Sequence, residues 1–394
     1  MNDFNIFTAK LDQIATHFGW NVAFVTGIGD ILMIIVGILL IYLAIKKEME
    51  PTLLLPMGFG AILVNVPGSV IADGLIGSAT ASTGNGILAW LYNTGIERWE
   101  VLPLLLFIGI GAMIDFGPLI QKPWLIFVGA AGQGGIFISM MLASLFFPLN
   151  DAAAIGIIGA ADGPTAIMVA QRLASTFIAP ILIVAYCYMA LVPIIQPLVL
   201  KATTTKEERA IKMTYTSSAI SQSTKICFPI AVTIICSFMA PDSAALVGML
   251  MFGNLLRECG VLSSLSNAAQ NILSPLISLV LGLAISPMLN ANDLLTVGTL
   301  MIIVFGLLAF IFDTACGVYF IKIANLFLKD GNKMNPLIGG AGISAFPMSS
   351  RVVQKVGQEA NKQNHLLPFA LGANVAGQIG SVLAGGLILG LFSI

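Results

Sequence analysis

Apolar runs long enough to cross a bilayer recur from one end of the chain to the other, among them 28–45, 101–114, 177–200 and 294–312. A span needs about 20 residues, fewer where helices are broken or re-entrant, so about ten to twelve membrane segments are expected. Charged residues make up 9% of the chain and hydrophobic residues 57%, where a soluble domain carries roughly 25% charged. So little charge cannot cover the surface of a soluble domain of this length. The fold class is therefore an all-α polytopic membrane protein.

Other classes drop out quickly. The formal net charge of −1 and the lack of a basic stripe with interleaved aromatics argue against nucleic acid. No G-x-x-x-x-G-K-[ST] phosphate loop is present, so energy for any pumping must come from a gradient or from a partner's chemistry. Cys187, Cys227, Cys236, Cys259 and Cys316 show no C-x-x-C spacing and read as small buried hydrophobes. His17 and His365 are too far apart to suggest a metal pair or a triad. At the start, Phe4, Phe7, Leu11, Ile14 and Phe18 alternate at three- and four-residue spacing, one face of a helix. Residues 1–27 are expected to form an interfacial amphipathic helix rather than a secretory leader, which needs a continuous apolar core.

The most polar internal stretch runs from Lys201 to Tyr215. Its excess of lysine and arginine places it on the cytoplasmic side, and it divides the chain into a first membrane half (28–200), a linker (201–216) and a second half (217–394). The halves echo one another. A Gly-Ala-rich break at 129–134 precedes Asp162, with 30 positions from Gly132; a second at 339–344 precedes Asn374, with 32 positions from Gly342. Transporters built from inverted repeats leave echoes of this kind, and interrupted segments in matching positions point to the binding site. The expected architecture is thus two inverted repeats with broken or re-entrant helices, a scaffold plus a transport core.

Asp162 stands within the apolar stretch 155–170 and is followed by Gly163 and Pro164. A carboxylate at membrane depth costs at least a few kcal/mol unless compensated, so it marks function by default. Asp-Gly-Pro is also how a helix begins. Both hold if the start of a half-helix carries an ion site. Hard cations take oxygen ligands, and Asp162, Thr165, Asn374 and carbonyls freed at the breaks supply them, favouring Na⁺ or H⁺ over a transition metal. The segment 372–381 is expected to form the second break. Tyr186 and Tyr188 follow soon after Asp162 and offer hydroxyls for a proton relay, although buried tyrosines usually just bond a backbone group. The segment from Asn335 to Pro347 is bounded by prolines and leads into Arg351, which is either an anchor at the membrane edge or a bidentate carboxylate ligand. Asp30, Asp73, Asp115 and Asp313 read as helix caps, the middle two also as secondary ligands.

Taken together, GAADGPTAI (159–167), AYCYMALVPIIQP (185–197), NPLIGGAGISAFPMSSRVVQKVGQ (335–358) and GANVAGQIGS (372–381) resemble the membrane β subunit of the biotin-dependent sodium-pumping decarboxylases, the oxaloacetate, methylmalonyl-CoA and glutaconyl-CoA enzymes. The resemblance runs from about residue 25 to the end. It implies an inner-membrane subunit that decarboxylates carboxybiotin, consumes a proton and exports Na⁺. It further implies a carboxyltransferase, a biotin carrier and a small membrane-anchoring subunit as partners, and a homo-oligomer, expected to be a trimer. Matching positions imply Na⁺ ligation by Asp162, Asn374, Ser344, Asn335 and Gly339, proton delivery by Tyr188, and a grip on the carboxybiotin carboxylate by Arg351. One departure stands out: Ala373 occupies a position where proline is expected in the second break. Without the resemblance, a sodium/proton antiporter or sodium-coupled carrier is the competing reading, and a membrane scaffold a third. A biotin requirement separates the first from the second.

Overall fold

The computed structural model describes residues 24–66, 86–173, 175–215, 219–294, 296–329 and 332–392. The expected interfacial helix, up to residue 23, and Asp73 lie outside these. The described residues are mostly helical, with no strand among them. The longer helices are α1 (Phe24–Lys46), α2 (Pro51–Asn65), α3 (Val101–Met113), α4 (Leu125–Ala131), α5 (Gly134–Ala143), α6 (Leu149–Gly156) and α7 (Gly163–Arg172). They continue with α8 (Ile178–Thr203), α9 (Gln222–Met239), α10 (Ala244–Glu258), α11 (Ser274–Ile285), α12 (Val297–Leu326), α13 (Met348–Ala360) and α14 (Leu367–Phe392). Among the described residues seven helical stretches are long and apolar enough to cross a membrane, counting α4 with α5 as one and α11 with its flanking turns (Ser263–Met288) as another, and three shorter apolar helices accompany them. Bare backbone amides and carbonyls are not tolerated in lipid, which is why a chain of this composition folds as helices.

Packing divides the chain into two compact units, residues 1–102 with 275–300 and residues 103–274 with 301–394. The linker does not separate them, so this division falls elsewhere than the one suggested by the sequence echo. In the first unit α1 and α2 cross where a methyl group on Gly37 would lie 2.7 Å from the Gly58 carbonyl oxygen, the close approach that small residues allow in membranes. Asn65 ties α2 to the turn after α11, donating to the Leu289 carbonyl at 2.6 Å. Asp30, expected as a cap, lies inside α1, which begins at Phe24.

The second unit holds the broken helices. Between α6 and α7 the chain tightens into a 3₁₀ turn, Ile157–Ala160, then passes through Ala161 in a left-handed conformation (φ 53°) and Asp162 in an extended one. Pro164 stands in the first turn of α7, where its missing N–H goes unneeded. The expected break at 129–134 is present as the turn between α4 and α5. The proline-bounded segment behaves likewise: Asn335 caps a 3₁₀ stretch, Pro336–Gly342, and bends and a turn lead through Phe346 to α13. The expectation for 372–381 is corrected. α14 is continuous from Leu367 to Phe392, because Ala373 keeps the N–H that a proline there would have removed.

The linker is pinned by local capping. α8 ends at Thr203, and Thr205 forms a capping box with Glu208 over the short helix Lys206–Arg209, two otherwise orphaned amides satisfied reciprocally.

Candidate functional site

Three backbones meet at Gly342. A methyl group there would lie 2.6 Å from the Val128 carbonyl oxygen of α4, and one on Gly377 of α14 would lie 2.2 Å from the Gly342 carbonyl oxygen. Only glycine permits so close a crossing. It brings the second break against α14 and against the turn between α4 and α5. The first break joins through Ser344, whose N–H and hydroxyl both reach the Ala160 carbonyl, at 3.1 and 2.6 Å.

Asp162 is buried in this crossing. It stands at the N-cap position of α7 without capping α7's backbone. Instead its Oδ2 accepts the hydroxyls of Thr165 at 2.6 Å and Ser381 at 3.0 Å. Among the described residues no lysine, arginine or histidine pairs with it. The ring of Tyr186 covers Gly163, where a methyl group would lie 2.1 Å from Cε1, and the Tyr186 hydroxyl is buried with no hydrogen-bond partner.

The carboxamides around the second break share one arrangement. Asn374 Nδ2 donates to the Ile343 carbonyl at 2.6 Å and to Ser349 Oγ at 3.0 Å. Gln378 Nε2 donates to the Ser344 carbonyl, Gln133 Nε2 to the Gly342 carbonyl at 2.9 Å, and Gln196 Nε2 to the Gly340 carbonyl at 2.6 Å. A carbonyl only accepts, so each amide is oriented with its nitrogen on the backbone. All four amide oxygens, Asn374 Oδ1 and the Oε1 atoms of Gln378, Gln133 and Gln196, are then buried without a donor. Buried acceptors lacking donors call for water or a cation. The second break is therefore lined by buried amide oxygens that lack donors.

The structure thus brings Thr165 to the Asp162 carboxylate and Ser344 to the Ala160 carbonyl of the same break, while Asn374 is held against Ile343 and Ser349 of the second break. It adds Gln378 and Ser381, which sequence reasoning missed although both lie in the quoted motif. The signal was there: Asn374, Gln378 and Ser381 are spaced i, i+4, i+7, one polar face of an apolar helix. Asn335 is not brought to Asp162. Its Nδ2 donates to the Arg209 and Ile211 carbonyls, each at 2.9 Å, and its Oδ1 takes the Leu337 N–H, so it fastens the linker to the second break. Gly339 packs on α12, where a methyl group would lie 2.0 Å from the Gly317 carbonyl oxygen. Tyr188 donates to the Ile303 carbonyl at 2.5 Å, leaving Tyr186 as the tyrosine beside the break. Arg351 is exposed on the first turns of α13. Asp313, expected as a cap between segments, lies instead in the middle of α12 and is fully buried.

A helix broken at a buried carboxylate, in a multi-pass helical protein whose second break is lined by uncommitted amide oxygens, marks an ion-translocating membrane protein. The chain belongs to the family of Na⁺-transporting oxaloacetate decarboxylase beta subunits, whose model matches residues 29–392. It is 44% identical over 380 residues to the methylmalonyl-CoA decarboxylase subunit beta of Propionigenium modestum, covering 92% of this chain and 95% of that protein. It is 42% identical to the oxaloacetate decarboxylase beta chain of Haemophilus ducreyi, covering 95% and 98%. It is 44% identical to the glutaconyl-CoA decarboxylase subunit beta of Acidaminococcus fermentans, covering 92% and 93%.

Proposed function

We propose that this β subunit decarboxylates carboxybiotin presented by a partner biotin carrier and uses the free energy to export Na⁺ through the Asp162 crossing. The observation that carries the ion assignment is the buried Asp162 carboxylate without a basic partner among the described residues, together with the donor-less amide oxygens lining the second break. Na⁺ enters as substrate and is held by the Asp162 carboxylate, Asn374 Oδ1, Gln378 Oε1 and Ser344. Asp162 alternates between Na⁺ and H⁺, which couples their opposite movements without phosphate chemistry.

Carboxybiotin meets Arg351. The exposed guanidinium, which has no ion pair among the described residues, suits bidentate binding of a planar carboxylate. The N–C bond breaks with its electron pair left on the ureido nitrogen, CO₂ departs, and the nitrogen takes the proton released from the crossing. Tyr186, beside the break, and Tyr188, one helical position pair further on, are the hydroxyls available to pass that proton. The partners are a carboxyltransferase, the biotin carrier and a small membrane-anchoring subunit, assembled on a trimer of this chain in the cytoplasmic membrane. The paired sequence breaks are read as an inverted repeat.

The test is purification of the tagged chain from its own membranes in mild detergent, probed with labelled avidin. A biotinylated protein that co-purifies supports the reading, and the companion carboxyltransferase then names the acyl substrate. Its absence under conditions that preserve complexes returns the chain to a free-standing sodium transporter.

A further inference from the structure

Asp313 is a second carboxylate buried at membrane depth, and neither the motifs nor the proposed site uses it. It sits in the middle of the 30-residue apolar helix α12, with 0% exposure. Its Oδ1 accepts the N–H of Ile136, in the first turn of α5, at 2.9 Å. Its Oδ2 is buried with no partner. That oxygen faces the first break: a methyl group on Gly159 would lie 2.5 Å from it, so only glycine lets the carboxylate rest against the 3₁₀ turn. No lysine, arginine or histidine among the described residues pairs with Asp313.

The charge balance is incomplete. A helix N-terminus presents the equivalent of about half a positive charge, and α5 presents it to Oδ1. Ionised, Asp313 would hold the rest of its charge on Oδ2, in a region where an uncompensated carboxylate is strongly disfavoured, so that oxygen takes up a proton or a cation. A hard monovalent cation satisfies both the lone pair and the charge. Gly159 precedes Asp162 by three residues, on the other side of the left-handed Ala161. The two carboxylates therefore flank the same break.

We infer that Asp313 is a second Na⁺ station on the translocation route, binding the ion through Oδ2 next to the Ile157–Ala160 turn. This rests on the Na⁺ reading of Asp162. In the assembled complex reconstituted in liposomes, Asp313→Asn keeps an oxygen for the Ile136 N–H and removes the charge. The half-saturating Na⁺ concentration for decarboxylation should rise at least tenfold, with the melting temperature of the complex unchanged. An unaltered Na⁺ dependence in a normally melting complex would overturn the station and leave Asp313 as a cap for α5. Should the variant fail to assemble, the unmodified complex answers by dicyclohexylcarbodiimide labelling read by peptide mass spectrometry. Na⁺ but not choline should protect Asp313, and should still do so in Asp162→Asn. Labelling indifferent to Na⁺ overturns the proposal. Loss of Na⁺ dependence in Asp162→Asn alone counts only against the Asp313 station, whereas Na⁺ dependence intact in both variants counts against the Asp162 reading itself.

Discussion

Asp162→Asn separates ion binding from folding, because the two effects have opposite signs. The asparagine is nearly isosteric, and its oxygen still accepts the Thr165 and Ser381 hydroxyls now at 2.6 and 3.0 Å. Turning two charge-assisted bonds into neutral ones loses about 1 kcal/mol each. Against this, a buried carboxylate without a counter-ion carries a desolvation penalty of several kcal/mol, which the substitution removes. The variant should therefore melt no lower than the parent in Na⁺-free buffer. Na⁺ binding moves the other way. A unit charge about 2.5 Å from the ion at an effective dielectric of about 20 contributes about 7 kcal/mol of attraction. Desolvation consumes most of it, and a surviving 3 kcal/mol or so is roughly a hundredfold in affinity. The assay is decarboxylation in proteoliposomes titrated with Na⁺, beside a thermal melt of the same preparation. Half-saturation moving by less than threefold, with assembly intact, would show that the Asp162 charge does not bind the ion.

Other outcomes are equally direct. Gln378→Leu removes an oxygen from the same face of α14 and should raise half-saturating Na⁺ about tenfold with little change at saturating Na⁺; a titration of initial rates checks it. Arg351→Lys should lose most turnover while the melt is unchanged, since lysine cannot make the bidentate contact; near-normal rates would return Arg351 to a membrane-edge anchor. Gly163→Ala drives a methyl group into the Tyr186 ring and should destabilise by about 1–3 kcal/mol, and Tyr186→Ala in the same chain should recover much of the loss in denaturation melts. At the linker, the Lys201 ammonium 2.8 Å from Glu359 holds that carboxyl below its ordinary range. Its stabilisation is present above the unfolded carboxylate pKa and is lost as pH falls through the folded one. The pair is half-exposed, so Glu359→Gln should change stability at neutral pH by less than about 1 kcal/mol.

Much of this site was readable from residues alone because its makers are local. Asp-Gly-Pro interrupts a helix by sterics and a missing amide within three residues, and the prolines around 335–347 do the same. Where the local signal was ambiguous, the reading at 372–381 failed: the glycines suggested a break, but with Ala373 supplying its N–H the ladder runs on. Gln133 and Gln196 gave no signal, since nothing in their neighbourhoods says which carbonyl each amide will meet. The resemblance implied Asn335 as a ligand, yet its amide nitrogen bonds the linker carbonyls of Arg209 and Ile211.

Composition and apolar run length by themselves determined that the chain is a bundle of membrane helices, since lipid leaves backbone groups no partner but each other. The residues also announced where one helix breaks and that a carboxylate sits at that break. Only tertiary structure decided what the carboxylate faces. Gly132, Gly342 and Gly377 must stack to set α14 and the second break together, Ser381 must reach the Asp162 carboxylate from α14, and Asp313 must reach Gly159 from a helix some 150 positions away. Such convergence depends on backbone approach between distant segments, and no short stretch of sequence encodes it.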